Sequence, residues 1–145
     1  MLSNVLKKEY VMENGVDFDE ELWFAPPYGD YVIDAEDSGK PFTGLAYELY
    51  DNDNLAYYSY YQDGVKEGQS VRFYKNARIK SISNMNKGTS HGNQLSYYEN
   101  GQIEFKGERF AGLAIQYKKW DEDGNLIEEK TGPDEGDLKY MDNFR

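Results

Sequence analysis

Apolar and polar residues alternate along the middle of this chain, and the alternation recurs in blocks of 24 residues. Each block opens on a glycine, carries an aromatic residue six positions later and has a branched aliphatic residue eleven positions later. The glycines are Gly44, Gly68 and Gly92, the aromatic residues Tyr50, Tyr74 and Tyr98, and the aliphatic residues Leu55, Ile79 and Ile103. A fourth, slipped copy begins at Gly112 and brings Trp120 and Leu126. Alternation with a period of two places one set of side chains on one face of a β-strand, so each block predicts strands.

Turn residues divide each block into a hairpin. Polar segments lie between the aromatic and the aliphatic residue, at 51–54, 75–78, 99–102 and 121–125, and return turns fall at 63–64, 87–88 and 111–112. The second strands are predicted at Leu55–Tyr61, Ile79–Met85, Ile103–Arg109 and Leu126–Lys130. Two strands of six or seven residues and two short turns fill about 22–24 residues. The prediction is therefore an all-β protein, a single-layer antiparallel β-meander of stacked hairpin repeats. In strand alternation, Tyr57 and Tyr61 share a face with Leu55, and Tyr58 and Tyr60 share the other.

The two ends of the chain lack this period and are predicted to be irregular caps. Near the N-terminus, Asn14-Gly15 suggests a short hairpin from Glu9–Glu13 to Val16–Phe18, then a turn or one helical turn at 19–21. A strand is expected at 31–33, and the tail is expected to form a second cap or a short helix. We expect a single domain, 1–145, with an N-terminal cap at 1–39, four repeats at 40–131 and a C-terminal tail at 132–145.

Two of the four blocks resemble a known repeat. The segments Tyr97–Glu104 (YYENGQIE) and Trp120–Glu128 (WDEDGNLIE) are similar to the MORN-repeat variant found in bacterial proteins. In the first two blocks Asp53 and Ala77 stand where that pattern has glycine, so looser turns or turns of another type are expected there. The resemblance implies a meander of stacked hairpins. It also implies a function class, because many bacterial proteins of this kind are antitoxins or immunity proteins.

The composition and charge of the chain indicate which classes of binding partner to expect. The chain has no cysteine and a net charge of −11, and residues 1–39, with two lysines and ten acidic residues, carry −8 of it. A field of this sign repels nucleic acid and anionic lipid and favours a basic partner, so neither nucleic acid nor a membrane is expected as a partner. No apolar stretch approaches the roughly 20 residues of a membrane span, and the N-terminus has no signal-peptide pattern. We expect a cytoplasmic protein.

Catalytic and metal-binding patterns are absent from the sequence. His91 is the single histidine, and its place in a turn favours an exposed structural residue over a catalytic one. One histidine without cysteine gives no zinc site, and the acidic turns lack the spacing of a calcium loop. No phosphate-binding glycine motif occurs. We expect neither an enzyme nor a cofactor.

The leading hypothesis is an immunity protein or antitoxin that binds a protein toxin encoded by a neighbouring gene and occludes its active site. Acidic residues near the N-terminus would steer the chain toward a basic toxin, for example one that acts on nucleic acid, and aromatic residues would anchor it. The expected partner-binding residues are Asp17, Asp19, Glu20, Glu21, Trp23, Asp30, Asp34, Glu36, Asp37, Tyr58 and Tyr60. The alternative is a non-catalytic interaction scaffold that binds another protein or associates with itself through its sheet edges.

Overall fold

A computed structural model describes residues 5–24, 32–34 and 40–144. It confirms the predicted fold class, with 54% of the described residues in strands and 15% in helices. The strands are β1 (Val16–Asp17), β2 (Leu22–Phe24), β3 (Val32–Asp34), β4 (Lys40–Pro41), β5 (Gly44–Leu49), β6 (Leu55–Gln62), β7 (Val65–Phe73), β8 (Ile79–Asn86), β9 (Thr89–Ser90), β10 (Gly92–Tyr97), β11 (Ile103–Phe110), β12 (Leu113–Trp120) and β13 (Leu126–Lys130). The helices are α1 (Lys8–Asn14), α2 (Phe18–Glu21) and α3 (Glu135–Asp142).

The repeats form one sheet in the order β1-β5-β6-β7-β8-β10-β11-β12-β13, with β9 paired to β8. Every pair is antiparallel except β1–β5, which is parallel. A separate small sheet has the order β2-β3-β4. The four predicted hairpins are β5–β6, β7–β8, β10–β11 and β12–β13, each second strand beginning at its predicted residue.

The turns inside the four hairpins share one geometry. In the first, the Tyr50 N–H donates to the Asn54 carbonyl at 2.8 Å, and the Asp53 N–H donates to the Tyr50 carbonyl at 3.0 Å. The same two bonds recur in the other three hairpins. The residue whose N–H donates the second of these bonds has a positive φ in every hairpin, whether or not it is glycine. The angle is 66° at Asp53, 72° at Ala77, 92° at Gly101 and 91° at Gly124. The expectation that the turns lacking glycine would differ is therefore wrong, because sheet pairing on both sides imposes the turn.

Ala77 holds this left-handed backbone without the freedom of glycine, which costs about 1–2 kcal/mol. We expect Ala77→Gly to raise the free energy of unfolding by about 0.5–1 kcal/mol, after the greater entropy of the unfolded glycine chain is subtracted. Asp53→Gly is the control and should gain less, since Asp tolerates the left-handed region better than Ala. Urea unfolding measures both. A loss of stability in Ala77→Gly would contradict the turn geometry.

The return turns also repeat one geometry, and this geometry gives His91 a structural role. Positive φ at both central residues, for example 51° at Asp63 and 83° at Gly64, confirms the predicted tight turns. The N–H of the first turn residue donates to the side chain that directly precedes the glycine of the same block, from Asp63 to Thr43 and from Lys87 to Glu67, each at 2.9 Å. In the third turn the Ala111 N–H donates to Nδ1 of His91 at 3.1 Å. His91 thus occupies a structural position that threonine and glutamate fill in the other repeats.

Each hairpin also carries a β-bulge at the second residue of its second strand. The register shifts leave Ala56, Lys80, Glu104 and Ile127 as extra residues. The bulge at Ala56 reverses the alternation, so Leu55 joins the core cluster of Tyr58, whereas Tyr61 belongs to a different cluster. The prediction that Tyr57 and Tyr61 share a face with Leu55 is therefore wrong.

A tyrosine ladder ties the repeats together. The hydroxyls of Tyr50, Tyr74 and Tyr98 donate to the carbonyls of Phe73, Tyr97 and Trp120, at 2.6, 2.7 and 2.8 Å. Each bond joins one hairpin to the next. These three aromatic positions of the repeat therefore serve the sheet itself.

The N-terminal segment covers both faces of the first hairpins. On one face Val11 of α1, fully buried, packs into a cluster with Tyr58, Val71 and Phe73. On the other face Leu22 and Phe42 pack with Tyr61. The predicted hairpin from Glu9–Glu13 to Val16–Phe18 is wrong, because burial of Val11 favours a helix whose end at Gly15 bonds back to the Val11 carbonyl. The expected helical turn at 19–21 is present as α2.

The tail forms a short helix, one of the two alternatives expected. Asp134 caps α3 by accepting from the Asp137 N–H at 2.8 Å, and Tyr140 donates to the Ala111 carbonyl at 2.7 Å. The Asp137 carboxylate also lies 2.5 Å from Nζ of Lys130 in β13. These bonds attach α3 to the fourth repeat.

The ion pair of Lys130 and Asp137 predicts a pH dependence. The hydrogen bond from Lys130, followed by that from the Asp134 backbone, lowers the pKa of Asp137 below 3.8. Its stabilising effect is therefore complete above pH 3.8 and is lost as the pH falls through the lowered pKa. We expect Asp137→Asn to lower the melting temperature at pH 7. The difference in melting temperature between the variant and the wild type should shrink in acid. The control Glu135→Gln should change little; a difference that persists below the lowered pKa would contradict the ion pair.

Candidate functional site

The acidic residues predicted to bind a partner come together at α2. The Asp17 carboxylate caps the helix by accepting from the Asp19 N–H at 3.0 Å, and this holds Asp19, Glu20 and Glu21 on one short turn. Asp19 and Glu20 are exposed, Glu21 is half-buried, and Trp23, which follows in β2, is 45% exposed. We call Asp19, Glu20, Glu21 and Trp23 the acidic surface. Asp34 lies in β3, and Asp30, Glu36 and Asp37 lie outside the described residues.

Tyr58 is a core residue. Its side chain is 0% exposed, its hydroxyl accepts from the Leu6 N–H at 2.9 Å, and it donates to Oε1 of Gln69 at 2.5 Å. Burial raises the pKa of Tyr58 to about 12. A side chain enclosed in this way offers no surface to a partner, so Tyr58 is excluded from the candidate site.

Tyr60 is half-buried and packs against the same cluster as Tyr58. The acidic surface lies on the other face, where Phe18 of α2 contacts Tyr57 with 6.3 Å between ring centroids. The structure therefore brings Asp17, the acidic surface and β2 together but keeps Tyr60 apart from them.

A cavity of about 390 Å³ adjoins α2 on this face, and no pattern in the sequence predicts it. Aromatic side chains, among them Phe18 and Tyr57, form apolar parts of its wall, and charged side chains from three strands of the sheet also line it. The charged residues are Glu48 in β5, Lys66 and Arg72 in β7, and Lys80 in β8. Their convergence depends on the pairing of β5, β6, β7 and β8, which no local pattern in the sequence reveals.

The cations of this cavity lie near an aromatic ring. Nζ of Lys66 is 5.1 Å and Cζ of Arg72 is 5.4 Å from the centroid of Tyr57. Burial lowers the pKa of Lys66, and the charge of Arg72 lowers it further. Burial likewise raises the pKa of Glu48, and Asp19 adds to that effect. The hydroxyl of Tyr57 shares a hydrogen bond with that of Tyr61, and burial raises the pKa of Tyr57.

Across the described part of the chain, no group of three or more histidine, aspartate or glutamate side chains is placed to hold a metal ion. Within the same residues, no helix is long and apolar enough to cross a membrane. At α2 the acidic surface lies beside a cavity lined by three cations and one carboxylate.

The chain is similar to a curated protein of Bacillus subtilis (strain 168) named immunity protein YwqK. The two are 44% identical over 127 residues, which is 87% of this chain and 82% of the relative. A match of this extent shows that the two proteins are homologous. The chain belongs to the family of YwqK.

No family model matches the chain. No solved structure matches it either. The resemblance of its blocks to the bacterial MORN-repeat variant therefore stays a prediction.

Proposed function

We propose that this chain is an immunity protein that binds a protein toxin encoded by a neighbouring gene and neutralises it by occluding its active site. The observation that carries the proposal is the 44% identity to a protein named as an immunity protein, over most of both chains. In this proposal the chain is a non-catalytic inhibitor acting in the cytoplasm, and it needs no cofactor.

The proposed contact region is the acidic surface, with Asp17 holding α2 in place and Asp30, Asp34, Glu36 and Asp37 adding charge from the same N-terminal segment. Exposed acids accelerate association with a basic partner, and an exposed tryptophan is a frequent anchor of protein interfaces. A toxin that acts on nucleic acid has a basic cleft, so an inhibitor with this charge would both reach the cleft quickly and cover it.

Complex formation tests the proposal directly. The tagged full-length chain is co-expressed with the product of the neighbouring gene, made harmless by an active-site substitution, and purified. We expect a stable complex that survives gel filtration. Failure of the two proteins to co-purify, with both of them folded, would contradict the proposal.

The sheet edge favours one second candidate, an interaction scaffold that associates with itself. Within the described residues the outer edge of β13 pairs with no strand, and Leu126 and Ile127 there are 50% and 62% exposed. An unpaired strand edge with apolar side chains is a template for another strand. Light scattering coupled to gel filtration distinguishes the two candidates, because a scaffold of this kind forms dimers or larger species and a simple inhibitor elutes as a monomer.

A further inference from the structure

The cavity beside α2 holds more positive than negative charge. Lys66, Arg72 and Lys80 contribute three positive charges and Glu48 one negative charge, a sum of +2. Among the described residues none of the three cations forms an ion pair, whereas Lys75, Lys118, Lys119 and Lys130 all do. Arg78, Lys87, Lys106 and Arg109 of the described repeats also form no ion pair, so the cavity is distinguished by the three such cations that line one space.

Burial of Lys66 raises the energetic cost of the excess positive charge in the cavity. Lys66 is half-buried, and its ammonium group has the ring of Tyr57 and the guanidinium of Arg72 as neighbours but no carboxylate in an ion pair with it. The lowered pKa of Lys66 agrees with this arrangement. Glu48 opposes this charge from beyond ion-pair distance and is shared with Arg72. A partly desolvated cation that is compensated only in part is unfavourable, so an anion that entered the cavity would gain more here than at an exposed lysine.

We infer that this cavity is a carboxylate-binding site, and that its occupant is an acidic side chain of the protein partner. The guanidinium of Arg72 presents a planar pair of donors that matches a carboxylate, and Lys66 and Lys80 add further donors around it. The partner's identity rests on the proposed function, whereas the anion site itself does not.

The walls favour an acidic side chain over a phosphate. Phe18 and Tyr57 form apolar parts of the wall. The methylene groups of an acidic side chain gain contact with such a wall, whereas inorganic phosphate has no apolar group to bury. Charge alone does not separate the two ligands, because the cations attract a dianion more strongly as well.

The cavity and the acidic surface lie side by side, because Phe18 of α2 lines the cavity. A matching partner surface is basic where it faces Asp19 and Glu20 and carries one acidic side chain that enters the cavity. Such a pattern of alternating charge fixes the orientation of a complex and disfavours partners with uniform charge.

The test uses the full chain and needs no toxin. The probe is the α-amide of N-acetylglutamate, which presents one side-chain carboxylate, followed by NMR amide shifts. The neutral glutamine analogue and inorganic phosphate are the comparison ligands. We expect saturable shifts around the cavity with the glutamate derivative, none with the glutamine analogue, and weaker binding of phosphate.

A double variant, Arg72→Gln with Lys80→Gln, should weaken the binding of the glutamate derivative by about tenfold or more. The matched control, Lys87→Gln with Lys139→Gln, removes the same charge from exposed positions outside the cavity and should leave binding unchanged. Both variants change exposed side chains, and a dispersed NMR spectrum shows that they fold.

Three results would overturn the inference: no saturable shift, equal binding of the glutamine analogue, or equal loss in the control variant. Tighter binding of phosphate than of the glutamate derivative would overturn the protein side chain as occupant. Each of these outcomes leaves complex formation with the toxin unaffected, so failure here is distinguishable from failure of the proposed function.

Discussion

We expect replacement of Tyr58 by alanine to lower the free energy of unfolding by about 4 kcal/mol. Tyr58 is 0% exposed and packs in the cluster that joins α1 to β5, β6 and β7. The substitution leaves a cavity where the ring was and removes the partner of the Leu6 N–H. Because a domain is typically stable by only about 5–15 kcal/mol, this loss is large, and urea unfolding measures it.

Two companion variants separate the contributions to this effect. Tyr58→Phe keeps the ring but leaves the Leu6 N–H and the Gln69 carbonyl without the hydroxyl, so we expect a loss of about 1–3 kcal/mol. Tyr60→Ala truncates a half-buried side chain two residues after Tyr58. It should lower the free energy of unfolding less than Tyr58→Ala does. If Tyr60→Ala proves the more damaging, the assignment of Tyr58 to the core is wrong.

Reversing the charge of α2 gives the second large effect, on association with the toxin. The variant Asp19→Lys, Glu20→Lys, Glu21→Lys should slow association by about tenfold or more at low salt, because steering by opposite charge raises association rates well above the neutral value. It should also flatten the salt dependence of the rate. Asp17 is kept, since its carboxylate caps α2. Stopped-flow or surface-based kinetics measure the rate.

A matched variant controls for net charge. Glu99, Glu122 and Asp123 are exposed acids in the hairpin turns of the third and fourth repeats, remote from α2 in the sheet order. Reversing these three changes the total charge by the same amount but should slow association much less. Equal slowing in both variants would mean that net charge, and not the acidic surface, governs the encounter.

The repeats were predictable because their structure is local. Each hairpin follows from residues close together in the chain, and the period places successive hairpins side by side. The errors fall where the structure depends on contacts that local sequence patterns do not show. The segment at 8–14 becomes a helix because the sheet buries Val11, and the face occupied by Leu55 depends on a bulge that alternation does not show.

The candidate site was predictable only in part. The run of acids from Asp17 to Glu21 is visible in the sequence, and the cap that Asp17 provides turns it into one surface. The wall of the cavity comes from Phe18, Glu48, Lys66, Arg72 and Lys80, which long-range strand pairing brings together. Tyr58 lies in a dense tyrosine run that suggests a binding surface, yet α1 covers it, and that coverage comes from tertiary packing.

The most direct test of the immunity function is growth of cells that express the product of the neighbouring gene with and without this chain. We predict that the gene product alone arrests growth, that the wild-type chain restores it, and that the charge-reversed α2 variant restores it less well at equal protein level. A harmless gene product, or a toxic one whose effect this chain does not relieve, would contradict the proposed function.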